Sequence, residues 1–232
     1  PPHNGTCDLS TDHAPPDCFI SIHQEMGCEA SGGSIDLEAC GCVHPSAPPP
    51  GEILDVVGVR AEDGLPAWAD ANRQESRDPL ASDVEGSRLT TLESTGQSSG
   101  DLWEIAIDGE TAWARSFNLG VLGSTQPILP ELEEDLPTLV GTIDELVAGI
   151  EEARRGTYGR AVLVDFFGPD SISSWAWIDV MNPSADAPKG ERIRLTLVPT
   201  TDPATGIHEF EIVDAMSTDI CVSGVDDNGQ CR

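Results

Sequence analysis

Four stretches in the second half of the chain read as strands: ERIRLTLV and HEFEIVDA place apolar residues at every second position, and GRAVLVDF and SWAWIDVM are nearly continuous apolar runs of strand length. The links between them carry Gly168-Pro169, Asn182-Pro183, Pro199, Pro203 and Gly206, all turn or loop chemistry, and short polar links favour antiparallel pairing. Upstream, LWEIAIDGETAWARSF reads as a hairpin around the turn pair Asp108-Gly109. EILDVVGV and SRLTTLES predict two further strands. The same pattern leaves TGQSSGD as a flexible link and LGSTQPILPELEEDLP as an acidic connector. Residues 60–86 read as loops with one short helix near Trp68.

One segment has the helical period instead. Ile143, Leu146, Val147 and Ile150 line one face, and Thr142 with Glu145 three positions later forms a capping box. Arg154 and Arg155 lie in the last turn, where cations suit the helix dipole, and Gly156 ends it. The pattern therefore predicts an α+β fold over residues 52–232: a mostly antiparallel sheet with one main helix at about 142–155 packed on one face. Order and motifs, WEIAIDGETAWA followed by GTIDELVAGIEEA, resemble bacterial secreted or lipid-anchored proteins of unknown function across residues 100–215. That resemblance implies a cell-envelope location and transfers no catalytic residue.

Residues 1–44 follow neither period. They hold Cys7, Cys18, Cys28, Cys40 and Cys42, with few large apolar side chains and no Lys or Arg. The PSAPPPG stretch at 45–51 reads as a stiff, extended linker to the α+β domain. Two chemistries compete for the cysteines. His13, Cys18, His23 and Cys28 fall at five-residue steps, which share a face on neither a helix nor a strand and lack the close pairs of zinc sites. Disulfides would compensate for the thin core of such a segment. A local Cys221–Cys231 bond and two bridges among the first five cysteines would leave one cysteine over, for a partner chain or a free thiol.

Charge narrows the class of partner. The chain of 232 residues has 41 acidic residues against 12 basic, a formal net charge of −29, and Lys189 is its only lysine. Such a surface repels phosphate backbones and anionic membranes, which argues against nucleic-acid binding, and the Arg-for-Lys bias fits a GC-rich bacterial genome. No apolar run is long enough to cross a bilayer, and the Pro1-Pro2-His3 start reads as a processed product.

Catalytic signatures are sparse: no GxSxG, HExxH or phosphate loop occurs. Asp165 and Asp179 each interrupt an apolar strand, and pairing of their strands would bring them near each other as a possible acid/base pair. In SWAWIDVM, Trp175 and Trp177 share a face with Asp179 and Met181, a platform for sugar or peptide wherever that face is open. Trp103 and Trp113 in the hairpin carry the same expectation. The VDDNGQ loop offers Asp226 and Asn228 as calcium ligands, and His13 and His23 complete the metal alternative; otherwise no cofactor is expected. The functional expectation is an extracytoplasmic, non-catalytic binding or structural module, a subunit of a cell-surface assembly with a protein or glycan partner. Metal capture through the N-terminal segment and hydrolysis of an extracellular polymer are the alternatives.

Overall fold

The computed structural model describes residues 20–30, 33–74, 76, 92–107, 109–155, 160–168, 174–181, 189–200 and 208–232. Ten strands follow one another in a continuous sheet and an eleventh joins it from the side. In chain order the sheet strands are β3 (Ile53–Val56), β4 (Ala67–Trp68), β5 (Leu92–Ser99), β6 (Leu102–Ile107), β7 (Glu110–Arg115), β8 (Leu119–Pro127), β9 (Val140–Gly141), β10 (Ala161–Phe167), β11 (Ser174–Met181), β12 (Gly190–Pro199) and β13 (Phe210–Cys221). Across the sheet the order is β10-β11-β12-β13-β8-β3-β5-β6-β7-β4, with β9 on β13, and every pairing is antiparallel. The mostly antiparallel α+β reading holds.

Two helices lie on one face, α2 (Leu129–Asp135) and α3 (Ile143–Arg154). The predicted capping box is present at α3: Thr142 Oγ1 accepts from Glu145 N, and Glu145 Oε2 accepts from Thr142 N at 2.9 Å. Leu146 and Ile150 of α3 and Leu132 of α2 bury into Ala176, Ile178, Ile193, Leu195 and Phe210 of the sheet. Each such side chain contributes about 1.5–3 kcal/mol by leaving water. Arg154 fastens the layer. It bonds the buried Glu191 of β12 at 2.7 Å and Asp135 of α2 at 3.2 Å, while Ser217 Oγ donates to the other Glu191 oxygen at 2.7 Å.

The acidic connector is not a connector. Its LGSTQP portion is the second half of β8, a strand that bridges the two halves by pairing β3 through Leu119 and Gly120 and β13 through residues 121–127. Its PELEED portion lies in α2. TGQSS continues β5, with Gly96 at φ +80°, rather than forming a flexible link. The helix expected near Trp68 is the two-residue strand β4. A third helix, α1 (Ile22–Ala30), and a small hairpin of β1 (Ser34–Asp36) and β2 (Gly41–Val43) occupy the described part of the N-terminal segment.

The Pro-rich stretch is a docked strap. Trp103 Nε1 donates to Pro45 O at 2.9 Å, Ser94 Oγ to Pro48 O at 2.6 Å and Gly51 N to Ser94 O at 2.8 Å. Its Ala47 packs against the second core, built on Leu54, Leu65, Trp103, Ile105, Ala112, Leu119 and Val121. The cysteines are staples. Cys221–Cys231 forms as expected, Cys28 pairs with Cys42, and Cys40 is disulfide-bonded as well.

Candidate binding face

Strand register assigns each tryptophan to a face. On β11, Ala176, Ile178 and Val180 point to the helices, so Trp175, Trp177, Asp179 and Met181 point away. Pairing extends this side across β10, β12 and β13 in rows. The first row is Phe167, Trp175, Thr196 and Asp214, and the second is Asp165, Trp177, Arg194 and Met216. The third is Val162, Asp179, Arg192 and Thr218. Beyond it Met181 and Ile220 pack on Val57, Phe117 and Leu122.

The third row is closed over and anchors the others. Arg192 grips Asp179 through two bonds, Nε at 2.7 Å and Nη2 at 2.8 Å, and donates to Val56 O at 2.6 Å. Gly58 N donates to Asp179 Oδ2 at 2.8 Å. Burial disfavours the Arg192 cation, but Asp179 and Asp55 together outweigh it and hold its pKa above the ordinary value. Gly58 has φ +64°, a conformation that costs other residues about 1–2 kcal/mol, and a Cβ there would lie 3.3 Å from Met181 Cγ. Gly58→Ala should therefore lower stability by about 1–2 kcal/mol in urea titration and loosen the loop over Asp179. The carboxylate reserved for acid/base work is thus an ion-pair anchor. Asp165, set at a bulge in β10, accepts from Phe166 N at 2.8 Å and faces Trp177 rather than Asp179.

The first two rows are open. Phe167 stacks on Trp175 with ring centroids 5.2 Å apart and is itself 55 % exposed. The Arg194 guanidinium lies over the Trp177 ring at 5.8 Å. Helices α2 and α3 both pack on the opposite side of the sheet.

The same side continues past β8. Gly120 and Leu122 of β8, Ile53 and Asp55 of β3, Glu93 of β5 and Glu104 of β6 carry it to Trp113 of β7 and Trp68 of β4. Trp68 and Trp113 are directly opposed and half-buried, and the Arg73 guanidinium lies over Trp68 at 5.4 Å. Four of the five tryptophans thus share one face. Trp68 is the member that sequence reasoning missed, because a two-residue strand shows no period. Trp103 is the exception and a correction. Fully buried on the opposite side with Ile105, it is a core residue and presents nothing to a ligand.

The metal alternative finds no support in the described residues. They contain no group of three or more His, Cys, Asp or Glu that could hold an ion. Cys28 is spent in its disulfide, His23 is exposed on α1, and His13 lies outside the described residues, as do Cys7 and Cys18. Asp226 of the calcium-like loop accepts from Asn228 N at 2.8 Å and Gln230 N at 2.9 Å, backbone bonds that hold its carboxyl below the ordinary range. Its oxygen staples the turn that Cys221–Cys231 closes.

Lys189 sits where the two halves meet. It is 5 % exposed, and its Nζ donates to Ser116 O and to Leu119 O at 2.7 Å. The rings of Trp103 and Phe117 lie 5.7 and 5.6 Å from it. Burial pushes its pKa down to about 7.

Comparison of the chain with protein-family models, with curated proteins and with solved structures found no match.

Proposed function

We propose that the protein is a non-catalytic binding module that works outside the cytoplasm and docks its partner on the helix-free face of its sheet. The observation that carries this reading is the open patch on β10–β12, where Phe167, 55 % exposed, stacks on Trp175 beside Trp177 and Arg194. Exposed aromatic surface of this kind marks interaction sites. The disulfides indicate an oxidising compartment, which agrees with a secreted, periplasmic or surface-anchored bacterial protein. Asp179 is committed to Arg192 and so does not pair with Asp165.

Cosedimentation with insoluble envelope or extracellular material from the producing cells tests this. Wild-type protein should pellet. The double variant Phe167→Ala/Arg194→Ala should stay in the supernatant with at least tenfold weaker binding and an unchanged melting temperature. Equal pelleting of both proteins, or release of soluble fragments from the material, would overturn the reading.

A further inference from the structure

We infer that the Cys28–Cys42 bond is a dithiol–disulfide exchange centre, in which Cys42 is the sulfur that meets an external dithiol and His44 stabilises Cys42 as a thiolate. The inference goes beyond the binding-module reading and does not rest on it. Cys221–Cys231 supplies the contrast: Cys221 is fully buried and Cys231 packs against the second core. Cys28–Cys42 ties α1 to β2 and belongs to none of the apolar clusters of the sheet. Its two ends differ. Cys28 is 3 % exposed, whereas Cys42 lies exposed, so an incoming thiolate reaches Cys42 first. His44 Nε2 is 3.5 Å from Cys42 Sγ. The other ring nitrogen, Nδ1, is buried and has no hydrogen-bond partner among the described residues. A bare nitrogen is less costly to bury than an unpaired N–H, so the ring proton sits on Nε2 and faces the sulfur. Gly33 permits this contact. A Cβ there would lie 2.6 Å from Cys42 Sγ, 2.9 Å from Cys28 Sγ and 3.0 Å from His44 Cε1.

The co-reactant is a dithiol, and the step balances. One of its thiolates attacks Cys42 Sγ and forms a new S–S bond. The Cys28–Cys42 bond breaks, its electron pair leaves on Cys28 Sγ, and that sulfur takes up a proton. The second thiolate of the co-reactant then attacks its own sulfur in the mixed disulfide. Cys42 leaves as a thiolate, and the Nε2–H of His44 donates to it. The dithiol has lost two electrons and become a disulfide, and Cys28 and Cys42 are the reduced pair. A thiolate held by a hydrogen-bond donor stabilises that reduced pair, which makes the bond more oxidising and more labile. In the reverse direction Cys42 is the nucleophile and the buried Cys28 resolves the mixed disulfide. The sheet clusters contain neither sulfur, so the bond can open while the α+β body stays folded.

Limited reduction of the native protein tests the inference, with glutathione to trap the mixed disulfide and dithiothreitol to complete the exchange, followed by alkylation and peptide mass analysis. Cys28–Cys42 should open about tenfold faster than Cys221–Cys231 or more, and the glutathione adduct should sit on Cys42. His44→Phe should shift the equilibrium with dithiothreitol about tenfold toward the protein disulfide, and should slow alkylation of reduced Cys42 at neutral pH by a similar factor. The wild-type adduct map and the comparison of the two bonds stand should that variant fail to fold. Equal resistance of the two bonds, or an adduct on Cys28 instead, would overturn the exchange centre. An unchanged equilibrium and alkylation rate in folded His44→Phe would overturn the role of His44.

Discussion

Replacing Arg192 by Met should lower the unfolding free energy by about 3–5 kcal/mol, because it leaves the Asp179 carboxylate buried without its counter-charge. Asp179 is fully buried and Arg192 nearly so. The single Gly58 N–H that would remain cannot replace a two-pronged guanidinium, and Val56 O would lose its donor as well. Asp179→Leu in the same background should restore most of the loss, since a buried pair exchanged for apolar groups of similar size is often neutral. Chemical denaturation of the two single variants and the double variant measures this directly. A coupling energy near zero would show that the two side chains act independently, and the anchor assigned to them would be wrong. The same variants reach the binding face, because Trp177 and Arg194 stand one register step away on the same strands. Arg192→Met should therefore weaken ligand binding before it unfolds the protein.

Legibility of the fold followed the strength of local pattern. SWAWIDVM is a nearly continuous apolar run of strand length, and β11 spans those eight residues. At α3 the sequence carries both its period and its cap, and the helix starts where Thr142 predicts. By contrast the GSTQP end of β8 is poor in strand-forming residues, and it continues the strand because β13 supplies its backbone partners. Tertiary pairing of that kind leaves no trace in a local window. The 45–51 strap misleads for a related reason: proline composition reports stiffness, while the acceptors Pro45 O and Pro48 O are what Trp103 and Ser94 use.

The hairpin held a readable signal. Trp103 shares its side with Ile105 and Ile107, whereas Trp113 shares its side with Thr111 and Arg115 and faces Glu104 across the strands. Alternation alone separates the core tryptophan from the surface one. The Asp179–Arg192 pair was out of reach, because it depends on the register of β11 against β12, which no local window carries.

Stability should rise with pH between about 7 and 10, by roughly 4 kcal/mol, and Lys189 is the cause. In the unfolded chain its amine binds a proton up to its ordinary value of 10.5, whereas burial in the fold lowers that to about 7. Between those limits the unfolded state binds more protons than the folded one, so raising pH favours folding. Below pH 7 both states are protonated, and the cost of the buried cation is present in full. The two carbonyls and two rings around Nζ offset part of that cost, so the full slope is an upper bound. The composition makes the measurement clean. With one lysine and one tyrosine in the whole chain, few other groups titrate in this interval. Urea midpoints at pH 7, 8.5 and 10 should climb in the wild type and stay level in Lys189→Met. A wild-type profile as flat as that of the variant would mean that the ammonium is fully compensated by Ser116 O, Leu119 O and the flanking rings, and that the seam between the two halves holds a cation at no net cost.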